Sequence, residues 1–462
     1  MLRIVGIVVL HNSINTLEIV GRERRVMKKE IKIKKEEEMK KTLPVVLFLL
    51  FFCMVSVMVS TTAYATNGYF SHGYGIADQA LGGAGVALPQ DTLDAAVNPA
   101  NMVFLGGRSD LGITFFNPNR EYTVTGNPSG FPGTFGLAPG TVKSDSKWFV
   151  IPSIGANWML NPDSSAGISI FGNGGMNTDY PTKTFGGDAP TTGVDLQQLF
   201  VAATYSRKLA PMHAVGITPI LVYQKFQAKG LNQFGFFSSD PNSLTDKGYD
   251  QSWGLGAKIG YQGEILPSVN LGMSYQTRMY MDRFKKYQGL FAEAGDFDIP
   301  STWTVGLAFK TTPALTFLFD VQRINYSEVK SIHNPLLPNL ATSQLGNDDG
   351  AGFGWDDMTI YKVGVQWQSS KALTWRVGYS QGSQPIDSSQ VLFNILAPGV
   401  IEKHITAGFT AAVADNQDLN FAVTRALSHS VTGANPLDIP GQQTIELKMD
   451  QWVIAVGYAL KY

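Results

Sequence analysis

The sequence predicts an all-β transmembrane protein: a 14-stranded antiparallel outer-membrane β-barrel with an N-terminal plug in its lumen. Three observations predict it. Apolar residues recur at every second position from residue 108 onward, connections alternate between short and long, and the segment 66–107 does not share the alternation. Bulk composition fits. Only 16% of the 462 residues are charged, the formal net charge is −1, and there are 48 glycines and 11% aromatics. A mean hydropathy of −0.01 excludes a bundle of membrane helices. The charge balance excludes a strongly basic nucleic-acid binder, so no nucleic-acid partner is expected. One cysteine excludes a disulfide scaffold.

The chain is expected to divide into four parts. Residues 39–65 read as a signal peptide: Lys40 and Lys41, an apolar run from Leu43 to Ser60, then Ala63-Tyr64-Ala65 as a small-x-small cleavage site. Residues 1–38 carry a charge run, 28–38, ahead of a complete signal, which suggests a misassigned start at Met1 in place of Met39. Removing 1–65 takes away 11 basic and 6 acidic residues and leaves 25 against 31, a balance of −6. It also removes Cys53, the only cysteine.

Residues 66–107 show short helical patches near 76–80 and 91–97, broken by Gly82, Gly83 and Gly85 and by Pro99. Their length suits a plug folded into a lumen. Residues 108–462 hold fourteen alternating segments, beginning near 108, 146, 165, 195, 213, 250, 268, 300, 313, 357, 371, 403, 416 and 445. In the last, Trp452, Ile454, Val456, Tyr458, Leu460 and Tyr462 share one face, and Gln451, Val453, Ala455, Gly457, Ala459 and Lys461 the other. An even strand count suits a closed barrel without unpaired edges. Trp303, Trp367, Trp375, Trp452 and Tyr462 at the ends of apolar faces suit interfacial girdles. A soluble all-β barrel would need a polar outer face, and here the uniform face is apolar.

The order GYG…ALGGAGVA…D…AAVNPA in 66–107 resembles the hatch of outer-membrane long-chain fatty acid transporters of the FadL/TodX type. Asn98, Pro99 and Ala100 match the hatch signature. The blocks 297–331, 356–386 and 402–426 resemble that family's strand pairs in order. The resemblance implies passive, energy-independent passage of hydrophobic molecules, with long-chain fatty acids as the leading reading and aromatic hydrocarbons or alkanes as the alternative. It implies a capture groove on two long loops, at Leu231, Phe234, Phe236 and Phe237 and at Phe284, Tyr287, Leu290 and Phe291. It implies a luminal carboxylate site: Lys330 resembles the family's lysine, Lys229 its basic partner, and Arg278 is a third inward candidate. In the third strand, Phe171, Gly172, Asn173, Gly174 and Gly175 destroy alternation. In the family a kink here opens a side gap in the wall.

Expected partners are hydrophobic small molecules, outer-membrane lipid and lipopolysaccharide, and the barrel insertion machinery during biogenesis. A monomer is expected, with no cofactor and no metal. The run Gly378-Tyr379-Ser380-Gln381-Gly382 fits G-x-S-x-G but sits within an alternating strand, not at a strand–turn–helix elbow, so no enzyme is expected. Asp348, Asp349, Asp356 and Asp357 cluster in a long loop; a solvated acidic loop is favoured there over a Ca²⁺ site. An open general porin is disfavoured by 66–107.

Overall fold

The structure, a computed structural model, describes residues 67–462. The expected extension 1–38 and signal peptide 39–65 lie outside the described residues. Strands with one large apolar face and one small or polar face can satisfy their backbones only by pairing, and a membrane wall admits no free edge. The wall is built of β1 (Arg108–Thr125), β2 (Phe149–Asn161), β3 (Ser164–Asn177), β4 (Gly193–Ala210), β5 (His213–Lys229), β6 (Asp250–Leu266) and β7 (Val269–Gln276). It continues through β8 (Thr302–Thr312), β9 (Leu315–Ile324), β10 (Met358–Ser370), β11 (Leu373–Gly382), β12 (Lys403–Ala414), β13 (Gln417–Ala434) and β14 (Thr444–Lys461). Each pairs antiparallel with the next, and β1 closes on β14 along its whole length, from Arg108↔Lys461 to Thr125↔Thr444. Two short strands extend the rim: Gly140–Lys143 folds back on β1 and Tyr280–Met281 on β6. Every strand starts within three residues of the position read from alternation.

The outer face is greasy. Val305, Leu307 and Phe309 on β8, Phe317 and Phe319 on β9, and Ile454, Val456 and Tyr458 on β14 are all exposed. Among the described residues no helix is long and apolar enough to cross a membrane; the strands do so.

Residues 67–107 pack against inward-facing side chains around the ring. They form α1 (Ile76–Ala80), α2 (Asp94–Val97) and a 3₁₀ turn, Pro99–Phe104. So little regular structure leaves many buried backbone groups in need of partners. The wall supplies them. Asp320 of β9 accepts from the N–H groups of Gly85 and Val86 at 2.9 and 3.0 Å. Lys362 of β10 donates to the carbonyls of His72 and Gly83, and Lys258 of β6 to that of Ala96. Thr406 of β12 donates to the Ala80 carbonyl at 2.8 Å, and Asp110 of β1 accepts from the N–H and hydroxyl of Thr92.

The Asn98-Pro99-Ala100 triplet is fastened most closely. Asn98 caps the 3₁₀ turn by accepting from Ala100 N–H at 3.1 Å, with Pro99 at its first position. Its side-chain amide also donates to the carbonyls of Val86 (2.7 Å) and Tyr261 (2.9 Å). The backbones approach so closely that a Cβ at Gly260 would lie 1.9 Å from Asn98 Oδ1, and one at Gly216 would lie 2.4 Å from the Pro99 carbonyl carbon. Inward glycines at these two positions are the room into which the triplet fits.

Candidate functional site

A strand in a barrel should pair on both sides, and β3 does not. Its ladder with β2 runs from the turn only to Ile154↔Ile170. Beyond that point, within the wall, residues 149–153 of β2 pair only with β1, and 171–177 of β3 only with β4. The register of β3 against β4 shifts between Gly172 and Gly174, so Asn173 bulges out of the ladder. The glycine-rich run therefore coincides with a break in the wall.

The break is closed from inside by the chain's own N-terminal segment. Phe70 bridges Gly174 in antiparallel fashion. Ser71 N–H donates to the Asn173 carbonyl at 3.0 Å, and Gly175 N–H donates to the Tyr69 carbonyl at 2.9 Å. A Cβ at Gly174 would lie 1.8 Å from the Tyr69 oxygen, so this approach requires glycine. Asn173 is fully buried; it accepts from Tyr74 hydroxyl at 2.6 Å and donates to Gln198 at 3.0 Å. Phe171 packs on Tyr74 and Phe200.

An aromatic series leads from the long loops to this break. Phe234 meets Phe393 with ring centroids 5.6 Å apart, and Phe393 meets Phe353 at 5.2 Å. Phe353 meets Trp355 at 6.4 Å, Trp355 meets Tyr69 at 6.0 Å, and Tyr69 meets Phe70 at 5.1 Å. Tyr326 packs on Tyr69, Phe70 and Trp355, and its hydroxyl donates to the Asn67 carbonyl at 2.6 Å. Burial raises the Tyr69 and Tyr326 phenols well above their usual range, so both stay neutral.

In the two loops expected to form a capture groove, Leu231, Phe234, Phe284, Tyr287, Leu290 and Phe291 are buried and Phe237 is partly so. Phe226 packs on Phe284, Tyr287 and Phe291, and Ser238 hydroxyl ties the loops together through the Gly289 carbonyl at 2.7 Å. Phe236, 91% exposed, is the member of this set that faces outward.

The three expected carboxylate-binding cations are not brought together. Lys330 opens a one-turn helix in the loop after β9 and faces Glu293 (3.5 Å) and Asp349 (3.8 Å). Arg278 donates to Asp298 at 2.8 Å and to the Glu328 carbonyl at 2.6 Å. Lys229 lines a polar cleft of about 170 Å³ with Asn177, Asp179, Asp195 and Tyr249. Loop acids that the alternation did not reveal claim the first two side chains. The loop aspartates also part: Asp357 pairs with Arg323 at 2.9 Å, while Asp349 faces Lys330. Ser380 lies buried in mid-strand β11 beside His404 (3.2 Å), without an elbow.

Sequence reasoning missed the residues that line the break, Tyr69 and Phe70, and the links Phe353 and Phe393. Their signal was aromatic density in segments without periodicity. It also passed over Arg120, which lies on the inward face of β1 next to the break.

A closed outer-membrane barrel whose lumen is filled by its own N-terminal segment, and whose wall is interrupted beside that segment, is the class defined by this fold and site. Residues 52–462 match the family described as outer membrane protein transport protein (OMPP1/FadL/TodX), and the chain belongs to it. It is a family of channels for hydrophobic compounds, not of enzymes. Among solved structures, the fold is similar to the Pseudomonas putida toluene transporter TodX, with TM-score 0.64 and 16% identity, covering 86% of this chain and 100% of that one. It is similar to a Pseudomonas aeruginosa FadL homologue, with TM-score 0.62 and 14% identity over 85% and 99% of the two chains. It is also similar to the Ralstonia pickettii toluene transporter TbuX, with TM-score 0.58 and 16% identity over 85% and 99%. Among curated proteins none matches this chain.

Proposed function

We propose that this protein carries hydrophobic molecules passively across the outer membrane. They enter at the loop crown around Phe234 and Phe236, pass along the aromatic series, and leave sideways between β2 and β3. The observation that carries this reading is the series of ring contacts from Phe234 to Phe70, ending on the edge of β3 that β2 leaves uncovered and Phe70 bridges. Such a path keeps an apolar solute out of water from loop to wall. The polar packing between 67–107 and the wall offers no comparable path straight through the lumen.

The substrates in this reading are hydrophobic acids, long-chain fatty acids first. A second reading, uptake of aromatic hydrocarbons, is favoured by the rings of Tyr69, Tyr326 and Trp355, which suit a flat apolar solute. The test is to replace Gly172 and Gly175 by valine, which favours a regular strand. The barrel should still fold, shown by heat-modifiable migration, while uptake of both oleate and toluene falls severalfold. Uptake at the wild-type rate would sink the lateral route.

A further inference from the structure

Arg120 is a buried cation that the route above leaves unused. It faces inward from β1 and is 4% exposed. It donates to the carbonyl of Asn177 at the end of β3 and to that of Ser146 just ahead of β2. It thus spans the outer edge of the break. Its guanidinium lies 5.7 Å from the ring centroid of Phe149. Its Nε is buried without an acceptor, and among the described residues it forms no ion pair with a carboxylate. Arg108, by contrast, has Asp110 at 2.8 Å and Arg278 has Asp298 at 2.8 Å. The nearby acid Asp195 is taken by Gln197 and the Tyr249 hydroxyl. A buried guanidinium that hydrogen-bonds carbonyls and has no carboxylate in direct contact is costly, because each desolvated charge needs a counter-charge to offset it.

The surroundings suit an arriving acid. Arg120 lines a small cavity with Gly68, Met176, Asn177, Trp355 and Gly399. Trp355 belongs to the aromatic series, so the guanidinium stands where that series reaches the wall. We propose that Arg120 is a carboxylate receptor at the lateral break, taking the head group of a hydrophobic acid whose tail lies along Trp355 and Phe70. The carboxylate replaces the Ser146 or Asn177 carbonyl as acceptor, since a charged acceptor binds guanidinium more strongly than a neutral one. That exchange frees the strand ends framing the break. The cavity is small in this conformation, so seating the head group requires the turn at Gly68 to withdraw. The inference rests on the transport reading and names its acid site.

The test uses the full-length protein, purified in detergent and reconstituted, as wild type, Arg120→Gln and Arg120→Lys. The probes are oleic acid and its methyl ester, which share a tail and differ in charge. Arg120→Gln should weaken oleate binding about tenfold to hundredfold and leave the ester unchanged, with Arg120→Lys retaining part of the oleate affinity. Equal losses for acid and ester, or unchanged oleate binding, overturn the assignment and leave Arg120 a structural clamp. Should glutamine impair folding, the lysine variant still separates acid from ester. A wild-type protein that binds ester but not acid sinks the receptor while the transport reading stands. Wild-type vesicles that admit neither probe, nor toluene, sink both.

Discussion

At the scale of single residues, the segment 67–107 is held by buried polar contacts whose loss is measurable. Asn98 makes three of them, and Gly260 gives it room. Asn98→Ala should destabilise the seating of the segment by roughly 2–4 kcal/mol, since it strands buried carbonyls and removes a cap. Faster amide exchange across 84–104 would report it. Gly260→Ala should do the same through its clash with Asn98 Oδ1, and the double variant should be less damaging than the two losses added. Two neighbouring groups titrate in opposition. Burial raises Asp78 to about 7, opposed chiefly by Lys362 of the wall, with Asp320 and Lys258 also facing it. Burial lowers His72 to about 4; Lys362, the His404 ring and the Thr424 hydroxyl face it. For Asp78, stability is full below pH 3.8 and is lost as pH rises towards 7. For His72, stability is full above pH 6.5 and is lost as pH falls towards 4. The two slopes cancel between about pH 4 and 6.5. Wild-type exchange protection at 72–85 should therefore be nearly flat in that window. Asp78→Asn should make it rise with pH, and His72→Asn should make it fall; parallel behaviour of the two variants would refute the assignment.

At the scale of elements, the strands were legible and the loops were not, for a physical reason. A lipid-facing wall imposes period two on every strand, so β8, β9 and β14 can be read from Trp303 to Phe309, Leu315 to Val321 and Trp452 to Leu460. The glycine run 172–175 was legible as a break because it interrupts that period. Nothing in the sequence says that Tyr69 to Ser71 lie against it, because that pairing is non-local and irregular. Likewise Lys330 and Glu293 are far apart in the chain, and only folding sets one against the other. Arg120 was hidden for the opposite reason: a polar residue on an inward face fits the strand pattern and attracts no notice. Gly174→Ala tests the element directly. Its Cβ collides with the Tyr69 carbonyl, so residues 69–71 should detach from β3 while the β3–β4 ladder survives. Limited proteolysis near 66–72 should accelerate, with the barrel's heat-modifiable migration retained.

At the scale of the whole molecule, the outward band decides stability in the membrane. Leu307 and Val456 are exposed on the apolar face in mid-strand. Leu307→Arg or Val456→Arg should each cost roughly 2–4 kcal/mol near the bilayer midplane, read from reversible unfolding in lipid vesicles. Substitutions of the loop residue Phe236, exposed on the crown, should be nearly neutral for folding and lower uptake instead.

The short ladder between β2 and β3 has a mechanical consequence. The two ends of the wall, β1 and β14, are zipped along their full length, whereas β2 and β3 are zipped only near the tight turn at Pro162-Asp163. The interrupted seam of the cylinder thus lies inside a hairpin rather than where the first and last strands of the wall meet. If solutes leave sideways as proposed, such a pair would spread like the jaws of a clothes-peg about its turn, with covalent continuity at the pivot to keep the jaws in register. On the proposed lateral route, the cylinder would part and reseal there without its first and last strands separating.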